Sequence, residues 1–433
     1  MISRFTYFFK HNKKCYVYSG ITNAFAELEP ELYDLLKRSK HNPAFSFDIE
    51  QETLNQLQKA KIIVADSNEE EYYIYQKKLL KNIQNFQNHV LNLTIAPTSN
   101  CNFKCPYCFE QGIQPKTMST EIIDAVNKFI KQCSLMCNNT ITLTWYGGEP
   151  LLAKKQIDKI LNYIYRNNIQ IRDHGIITNG YLLNKTNIEW LINNKINFVQ
   201  ITLDGANAET HDSKRFLKNG KGSWNTILKN IDTLLEKTND IRVSIRCNID
   251  KSNKDEFLKL KETLSKRWEG RNITIYPAIL RAHSKQERNN CLYLTGKEAT
   301  DFFLNIGKSE KKLNYFNFEI NSCTATQLHA YLIGPEGELY KCWNDLGRKN
   351  KIIGYVYNNE IANEKVLIEY LAMYDAIDDK KCRNCALFFV CDGGCQLMRI
   401  EELGYNHKQD FCHLAKNNLK KYLNLYKNIK NNT

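Results

Sequence analysis

The chain has 433 residues, 15 cysteines and a formal net charge of +13. That length suffices for two or three domains with substantial cores. The composition, 42% hydrophobic and 25% charged, is that of an ordinary soluble protein. No apolar run reaches the roughly 18 residues of a membrane span, and the first residues lack the apolar core of a signal peptide. We therefore expect a cytoplasmic protein without a membrane partner.

The basic residues are distributed along the whole chain, and no basic stretch is interleaved with aromatic residues. Nucleic-acid binding usually shows as basic residues clustered on one face or along one helix. We therefore expect no nucleic-acid partner. A generally basic surface favours, at most, an acidic peptide.

Residues 1–85 are predicted to form a small, winged-helix-like α+β domain. Apolar periodicity predicts the following elements: strands at 5–9 and 14–18, helices at 31–38 and 51–61, and a short strand at 62–64. This order is similar to the recognition element of peptide-modifying enzymes, in which a leader peptide adds a strand to a sheet edge. The alternative is a plain cap on the next domain.

Strand and helix patterns alternate in residues 86–285. The predicted strands lie at 90–95, 140–146, 175–178, 198–203, 241–247 and 272–276. The first helix of the series is expected to begin at Ser119 or Thr120. About six βα units imply an α/β fold with a parallel sheet, curled as a partial barrel, whose functional residues lie at the carboxyl ends of the strands.

Fifteen cysteines without a signal peptide do not indicate a disulfide framework. Ten of them occur at close spacings, which indicates metal binding. The other five are interpreted as mostly buried small hydrophobic residues, namely Cys15, Cys133, Cys137, Cys247 and Cys291. Residues 286–433 hold eight cysteines and little periodic pattern, so we expect metal to order that region.

Three of the ten cysteines, Cys101, Cys105 and Cys108, follow the first strand of the βα series. Three thiolates at this spacing can bind three irons of a cubane cluster and leave the fourth iron without a protein ligand. A zinc knuckle is the alternative, but zinc takes four ligands and no fourth follows nearby. With Tyr107 before the last cysteine, the motif resembles the signature of the radical S-adenosylmethionine (SAM) enzymes.

In that family the open iron chelates SAM, and an electron from the cluster splits the sulfonium to give a 5′-deoxyadenosyl radical. The resemblance therefore implies a partial (βα)6 barrel, a 4Fe-4S cluster and SAM as cofactors. It also implies a reducing electron donor such as a flavodoxin or ferredoxin.

Two further motifs follow strands of the same series. The turn Gly147-Gly148-Glu149-Pro150 resembles the family's segment that binds the methionine amino group of SAM. By the same resemblance, Thr202 and Arg215 are expected to contact the ribose and the carboxylate of SAM. The alternatives are a purely structural turn and a surface arginine.

The remaining seven cysteines match the SPASM extension of radical SAM proteins. They are Cys323, Cys342, Cys382, Cys385, Cys391, Cys395 and Cys412. The resemblance assigns Cys382, Cys385, Cys391 and Cys412 to an outer auxiliary cluster, and the other three to an inner one. The chain would then hold three 4Fe-4S clusters. A zinc array is less suited, because seven thiolates do not divide into four-thiolate sites.

This division leaves the inner cluster one ligand short. His329 or Cys291 could supply it; otherwise one iron is open to the substrate. Sulfatase maturases carry an aspartate after the second cysteine of this array, whereas this chain has Trp343. Formylglycine formation is therefore not expected, and no catalytic base is identified.

The resemblance divides the chain into a peptide-recognition domain (1–85), a radical SAM core (86–285) and a SPASM domain (286–433). It indicates a maturase that installs a thioether or a bond to carbon in a ribosomally made precursor peptide. A radical dehydrogenase or epimerase acting on a protein or small molecule is the second hypothesis. A cluster-bearing scaffold that no longer cleaves SAM is the third.

Overall fold

The structure is a computed structural model, and it describes residues 1–40, 49–87, 89–281, 292–313, 316, 323–391, 393–407 and 412–431. Cys291 lies outside these residues. The strands are β1 Thr6–His11, β2 Lys14–Ser19, β3 Phe25–Leu28, β4 Leu91–Ile95, β5 Thr140–Trp145, β6 Gln170–Thr178, β7 Phe198–Thr202, β8 Arg242–Ile249, β9 Ile273–Ile279, β10 Ala330–Ile333, β11 Glu338–Tyr340, β12 Gly354–Tyr355 and β13 Asn358–Ile361.

The α-helices are α1 Pro30–Ser39, α2 Gln51–Lys59, α3 Ser67–Phe86, α4 Thr120–Leu135, α5 Lys154–Arg166, α6 Lys185–Asn193, α7 Ala208–Asp212, α8 Trp224–Lys237, α9 Phe257–Arg267, α10 Gly296–Ser309, α11 Glu364–Ile368, α12 Gln396–Arg399 and α13 Leu419–Asn431. None of the helices in the described ranges is long and apolar enough to cross a lipid bilayer.

The chain forms two compact units. The first comprises residues 1–87, 296–327 and 369–433, and the second comprises residues 88–295 and 328–368. Each unit therefore contains segments from distant parts of the sequence.

The second unit is built on six parallel strands, β4 to β9, which lie side by side in chain order. All six predicted strands are present, so the α/β class with a parallel sheet is confirmed. Helices connect the strands, and their apolar residues recur at helical spacing: Ile157, Ile160, Leu161 and Ile164 of α5 are all buried. Ser119 caps α4 by accepting a hydrogen bond from the Ile122 amide.

The sheet continues beyond β4 with strands that the sequence analysis did not predict. β10 pairs with β4 in parallel register, and β11, β12 and β13 follow as antiparallel neighbours. These strands are only two to four residues long, which is too short to give a periodic pattern. Residues 328–368 thereby belong to the same sheet as the parallel core.

The first unit contains the antiparallel sheet β1-β2-β3. Its aromatic side chains pack in one core with residues from the far end of the chain: Phe9, Tyr16 and Tyr18 cluster with Leu387 and Leu419. A second cluster contains Phe5, Ile74 and Phe388. Residues near both chain ends thus share a core in this unit.

Two details of residues 1–85 differ from the sequence analysis. The expected strand at 62–64 is only an isolated bridge between Ile63 and Ile2, because the chain turns there into helix α3. Strand β3 and helix α3 were not predicted. The inward face of α3 is mostly polar, so its apolar residues gave no core-facing pattern.

The buried His174 of β6 gives a pH-dependent stability. It is 2% exposed and its Nε2 accepts a hydrogen bond from Trp145 Nε1 at 2.8 Å. Burial lowers the pKa of His174 to about 4, below the usual 6.5 or so of the unfolded chain. Its contribution to stability is therefore present above about pH 6.5 and is lost as the pH falls toward 4, by up to about 3 kcal/mol.

We expect the free energy of unfolding to fall less steeply between pH 6.5 and 4.5 in His174→Gln than in the parent chain. Glutamine keeps an acceptor for Trp145 but does not titrate. Chemical denaturation of both proteins at matched pH values measures the difference. Parallel pH profiles would contradict the assignment.

Candidate active site

The loop after β4 carries Cys101, Cys105 and Cys108. Cys101 and Cys105 are half-buried, whereas Cys108 is exposed. The Cys108 amide donates to Cys105 O at 3.1 Å, so the loop turns between these two cysteines.

The thiol of Cys101 is held by two donors. It accepts hydrogen bonds from the Phe103 amide at 3.4 Å and from Asn179 Nδ2 at 3.8 Å. Burial nevertheless raises its pKa to about 11, so this thiol stays protonated at neutral pH in the protein alone. Iron binding would have to displace the proton, which makes cluster assembly pH-dependent.

The turn at Gly147 and Gly148 packs directly on the segment before Cys101. A Cβ atom at Gly147 would lie 2.4 Å from Thr98 O, and one at Gly148 would lie 2.3 Å from Asn100 O. The Gly148 and Glu149 amides donate to these same oxygens at 3.1 and 2.8 Å. Both glycines are thus required by contact between two backbones, and the turn fixes the cysteine loop.

Glu149 is fully buried beneath this turn. Its carboxylate accepts hydrogen bonds from Thr178 Oγ1 and the Asn179 amide, both at 2.8 Å, and from the Leu151 amide at 3.1 Å. Burial raises its pKa despite these donors. Because Asn179 also reaches Cys101, the carboxylate positions the end of β6 against the cysteine loop.

Tyr107 joins the cysteine loop to the ends of β7 and β8. Its hydroxyl donates to Asp204 and accepts from Arg215 Nη1 at 2.7 Å and Asn248 Nδ2 at 3.3 Å. Asp204 is fully buried, and its second oxygen accepts from the Asn248 amide at 2.8 Å. Arg215 is 8% exposed, so it is not the surface charge that the alternative interpretation required.

His211 supports this arrangement as a neutral ring. Its Nδ1 accepts from the Asp204 amide at 3.2 Å, and its Nε2 lies 3.1 Å from Ser223 Oγ. Ser223 already donates its hydroxyl proton to Arg215 O, so Nε2 must be the donor. Burial, and then the charge of Arg215, hold the pKa of His211 well below its usual range.

Three buried polar atoms around this site have no hydrogen-bond partner within the described part of the chain: Arg215 Nε, Asn102 Nδ2 and Glu110 Oε2. A buried donor or acceptor without a partner costs about 1–3 kcal/mol. Two donors and one acceptor beside a loop of three thiols fit a polar ligand that carries a carboxylate and an amino group. The residues present therefore fit both SAM and an iron–sulfur cluster.

Thr202 is the last residue of β7 and is 8% exposed. It pairs in register with Arg246 of β8. The position places it at the same carboxyl edge of the sheet as the cysteine loop, the glycine turn and Asp204. The expected clustering of the motifs at this edge is thus present in the second unit.

The four cysteines assigned to the outer cluster lie together in the first unit. Burial raises the pKa of Cys385, and repulsion from Cys391 and Cys412 adds to it. Burial also raises the pKa of Cys382, and repulsion from Cys391 makes a smaller contribution in the same direction. No three His, Cys, Asp or Glu side chains of the described ranges converge on a single-ion site. The outer cluster assigned to these four cysteines stays a prediction.

The three cysteines assigned to the inner cluster are divided between the units. Cys342 belongs to the second unit, whereas Cys323 and Cys395 belong to the first. In the second unit, the ring of Trp343 packs on Tyr146, with 5.3 Å between ring centroids. The inner cluster and its missing ligand stay predictions.

Residues 95–264 match the model of the Radical SAM superfamily. The chain carries a radical SAM domain. Members of this family bind SAM and a 4Fe-4S cluster, and the domain contains Cys101, Cys105 and Cys108.

Curated relatives of the chain include known radical SAM proteins. It is 24% identical to the cysteine-type anaerobic sulfatase-maturating enzyme of Clostridium novyi, over 71% of this chain and 88% of that protein. It is 24% identical to the radical SAM cyclopropyl synthase TigE of Paramaledivibacter caminithermalis, over 52% of each. It is 30% identical to the subtilosin biosynthesis protein AlbA of Bacillus subtilis, over 36% of this chain and 33% of AlbA. The chain thus spans about half the length of TigE and about a third of the length of AlbA.

Two solved structures share the fold. An anSMEcpe structure with bound AdoMet aligns with a TM-score of 0.61 and 19% identity, over 79% of this chain and 98% of the other. SuiB of Streptococcus suis, bound to its precursor peptide SuiA, aligns with a TM-score of 0.51 and 15% identity, over 91% and 95%. The resemblance to radical SAM maturases is confirmed.

In the radical SAM domain, the sequence analysis assigned no role to Asn248 or His211. It also did not predict that the buried Glu149 carboxylate accepts hydrogen bonds from the end of β6. Asn248 is the penultimate residue of β8, and a buried polar residue at the carboxyl end of a strand is the signal that points to it. The four isolated cysteines Cys15, Cys133, Cys137 and Cys247 are buried, as expected.

The outer cysteines have two cations beside them, and these differ in burial. Arg399 is fully buried; its Nη1 donates to Cys382 Sγ at 3.4 Å and its Nη2 pairs with Asp379 at 3.1 Å. Lys416 is exposed and donates to Cys412 Sγ at 3.2 Å. Only the buried charge acts without solvent screening.

We expect Arg399→Met to lower the reduction potential of an outer cluster and to cost about 3–5 kcal/mol of stability, because Asp379 loses its partner. Lys416→Met, the matched control, should change both quantities little. Potentiometric titration followed by electron paramagnetic resonance, with thermal unfolding, measures these effects. Equal shifts in the two variants would contradict the prediction.

Proposed function

We propose that the chain is a radical SAM maturase that installs an intramolecular crosslink, a thioether or a bond to carbon, in a ribosomally made precursor peptide. The observation that carries the proposal is that one chain contains both the radical SAM motifs and a small antiparallel sheet whose strand β3 pairs on one side only within the described residues. Bound SAM would supply a radical that removes an unactivated hydrogen atom. Arg215, with its unpaired Nε, would bind the carboxylate of SAM, and the Gly147–Glu149 turn would hold the cysteine loop in place.

The outer strand β3 is suited to receive an extended peptide. In the described residues it pairs with β2 only. Ser19 donates to Ala24 O, so by antiparallel alternation the amides of Phe25 and Glu27 point away from β2. Unpaired amides along an edge strand are what a leader peptide uses when it adds a strand. Phe25 stacks on Tyr16, which gives this edge an aromatic surface.

Relatives support a peptide as substrate. SuiB was solved with its precursor peptide SuiA, and anSMEcpe with AdoMet and the Kp18Cys peptide. We propose that residues 1–85 bind the leader, that residues 86–285 cleave SAM, and that residues 286–433 hold two auxiliary 4Fe-4S clusters. A flavodoxin or ferredoxin would supply the electrons.

The test is anaerobic reconstitution of the full chain, followed by mass spectrometry of a short peptide encoded beside its gene. A loss of two hydrogens per modification, mapped between two residues by fragmentation, is the expected result. A mass that is unchanged in H2O but rises by one deuterium in D2O would instead indicate the epimerase. An unmodified peptide alongside measured 5′-deoxyadenosine formation would contradict the peptide proposal but not the radical SAM assignment.

Leader binding has its own matched pair of variants. Glu27→Pro removes an outward amide, whereas Glu27→Ala removes the same side chain and keeps that amide. We expect the proline variant alone to weaken peptide affinity by about tenfold or more. Equal affinities would show that this edge does not bind the leader.

A further inference from the structure

Helix α3, residues Ser67–Phe86, faces the protein with its polar side. Glu70, Lys77, Lys81 and Asn85 are each at most 6% exposed, together with Ile74. Meanwhile six large apolar side chains are exposed, by 37% to 63% of their surface: Tyr72, Tyr75, Leu79, Leu80, Ile83 and Phe86. This arrangement is the reverse of an ordinary surface helix.

The inward orientation is fixed by specific contacts of the buried charges. Glu70 accepts from Ser3 Oγ at 2.7 Å and pairs with Arg4 at 3.2 Å. Lys77 donates to Phe389 O at 3.1 Å, and Lys81 pairs with Asp375 at 3.1 Å. Rotating the helix to bury its apolar side would break these contacts, and no new polar contact would replace them. The apolar face is therefore presented outward by the fold itself.

The exposed residues follow the spacing of a helix–helix seam. Tyr72, Tyr75, Leu79, Ile83 and Phe86 are separated by three, four, four and three positions, which keeps them on one side over four turns. Their exposed fractions correspond to roughly 600 Å² of surface, at the upper limit of the largest apolar patches on monomers. A standard interface buries about 800 Å² per partner, so this stripe supplies most of one.

The polar residues on the same face narrow the choice of partner. The exposed polar positions beside the apolar ones are Gln76, Asn82, Gln84 and Gln87, and none of these four carries a charge. The cation at the border of the stripe, Lys78, is paired with Asp378 at 3.6 Å. A membrane surface would call for lysine or arginine there. An extended peptide would gain few backbone hydrogen bonds from the side of a helix, because the backbone groups there already bond to one another. An uncharged face suits contact with its own copy, because like charges would otherwise meet across the two-fold axis.

We propose that this face of α3 is the interface of a homodimer, in which the helix packs antiparallel against α3 of a second copy. The stripe runs from residue 72 to residue 86, and Leu79 lies at its centre. A two-fold axis through the centre brings Leu79 of the two copies together. A substitution of Leu79 therefore brings two changed side chains into contact, one from each copy.

Sedimentation velocity on the full chain, prepared anaerobically over a range of concentrations, tests this proposal. We expect a concentration-dependent dimer for the parent chain. Leu79→Glu should weaken dimerisation by about 100-fold or more, because two carboxylates then meet in an apolar contact. Leu79→Lys should do the same, and an equimolar mixture of the two variants should restore the dimer.

Leu135→Glu is the control, because Leu135 of α4 is also exposed, at 70% against 60% for Leu79, but belongs to the second unit. It should leave the dimer intact. Rescue by mixing also guards against misfolding, since an unfolded variant could not recover. A monomeric parent chain at all concentrations would overturn the proposal. So would a dimer that survives both Leu79 variants, or Leu79 variants whose only defect is loss of precursor-peptide binding.

Discussion

Replacing Cys105 with alanine is expected to abolish reductive cleavage of SAM, with 5′-deoxyadenosine formation falling at least about 1,000-fold. The three thiols of this loop are the only cysteines of the radical SAM motif, and a cluster that loses one of them cannot keep a defined open iron. The iron content after reconstitution should fall by about four atoms per chain. Both quantities are measured on the same anaerobic preparation.

The matched control is Cys133→Ala. Cys133 is a buried cysteine of α4, outside the motif, and is 8% exposed. Its removal should cost some stability through the cavity it leaves but should change neither iron content nor SAM cleavage. Retained cleavage in Cys105→Ala would show that these thiols do not hold the catalytic cluster.

The second large effect is expected at Gly148. A Cβ there would lie 2.3 Å from Asn100 O and 2.6 Å from Asn100 C, and both atoms belong to the backbone. Neither can move aside as a flexible side chain would, so Gly148→Ala must displace the segment that leads into Cys101. We expect a loss of cluster occupancy, a SAM affinity lower by about tenfold or more, and a stability cost of about 1–3 kcal/mol.

Gly220→Ala provides the comparison. Gly220 has a φ of +81°, and nothing lies within 4 Å of the position where its Cβ would stand. The variant should therefore pay only the backbone cost of about 1 kcal/mol and should bind iron and SAM normally. If Gly148→Ala behaved in the same way, the turn would not be fixing the cysteine loop. Iron analysis, SAM-binding isotherms and thermal unfolding distinguish the two outcomes.

The parallel core was predictable because its signals are local. Apolar runs such as 198–203 and the helical spacing of Ile157, Ile160 and Ile164 report burial directly. The cysteine loop, the glycine turn and Thr202 could also be placed at one edge, because the carboxyl ends of parallel strands meet there. Chain order alone therefore recovered most of the positions around the site.

Other parts depend on long-range contacts that the sequence does not express locally. The residues of β10 carry no sign that their partner is β4, which lies more than 200 residues earlier in the chain. Helix α3 was missed because its orientation is set by distant partners such as Asp375 and Phe389. The function of the two glycines was assigned to ligand contact, whereas the structure shows that backbone packing already requires them.

The pairing of β10 with β4 has a consequence for how the protein is made. β4 leads into the cysteine loop, and its outer edge is completed only by residues 330–333. Synthesis proceeds at about 5–20 residues per second, so on a ribosome this edge stays unpaired for many seconds after the loop has emerged. During that interval the loop is attached to an unfinished sheet and is accessible to iron–sulfur delivery. Pairing of β10 with β4 would then fix the position of the loop only after most of the chain has been synthesised.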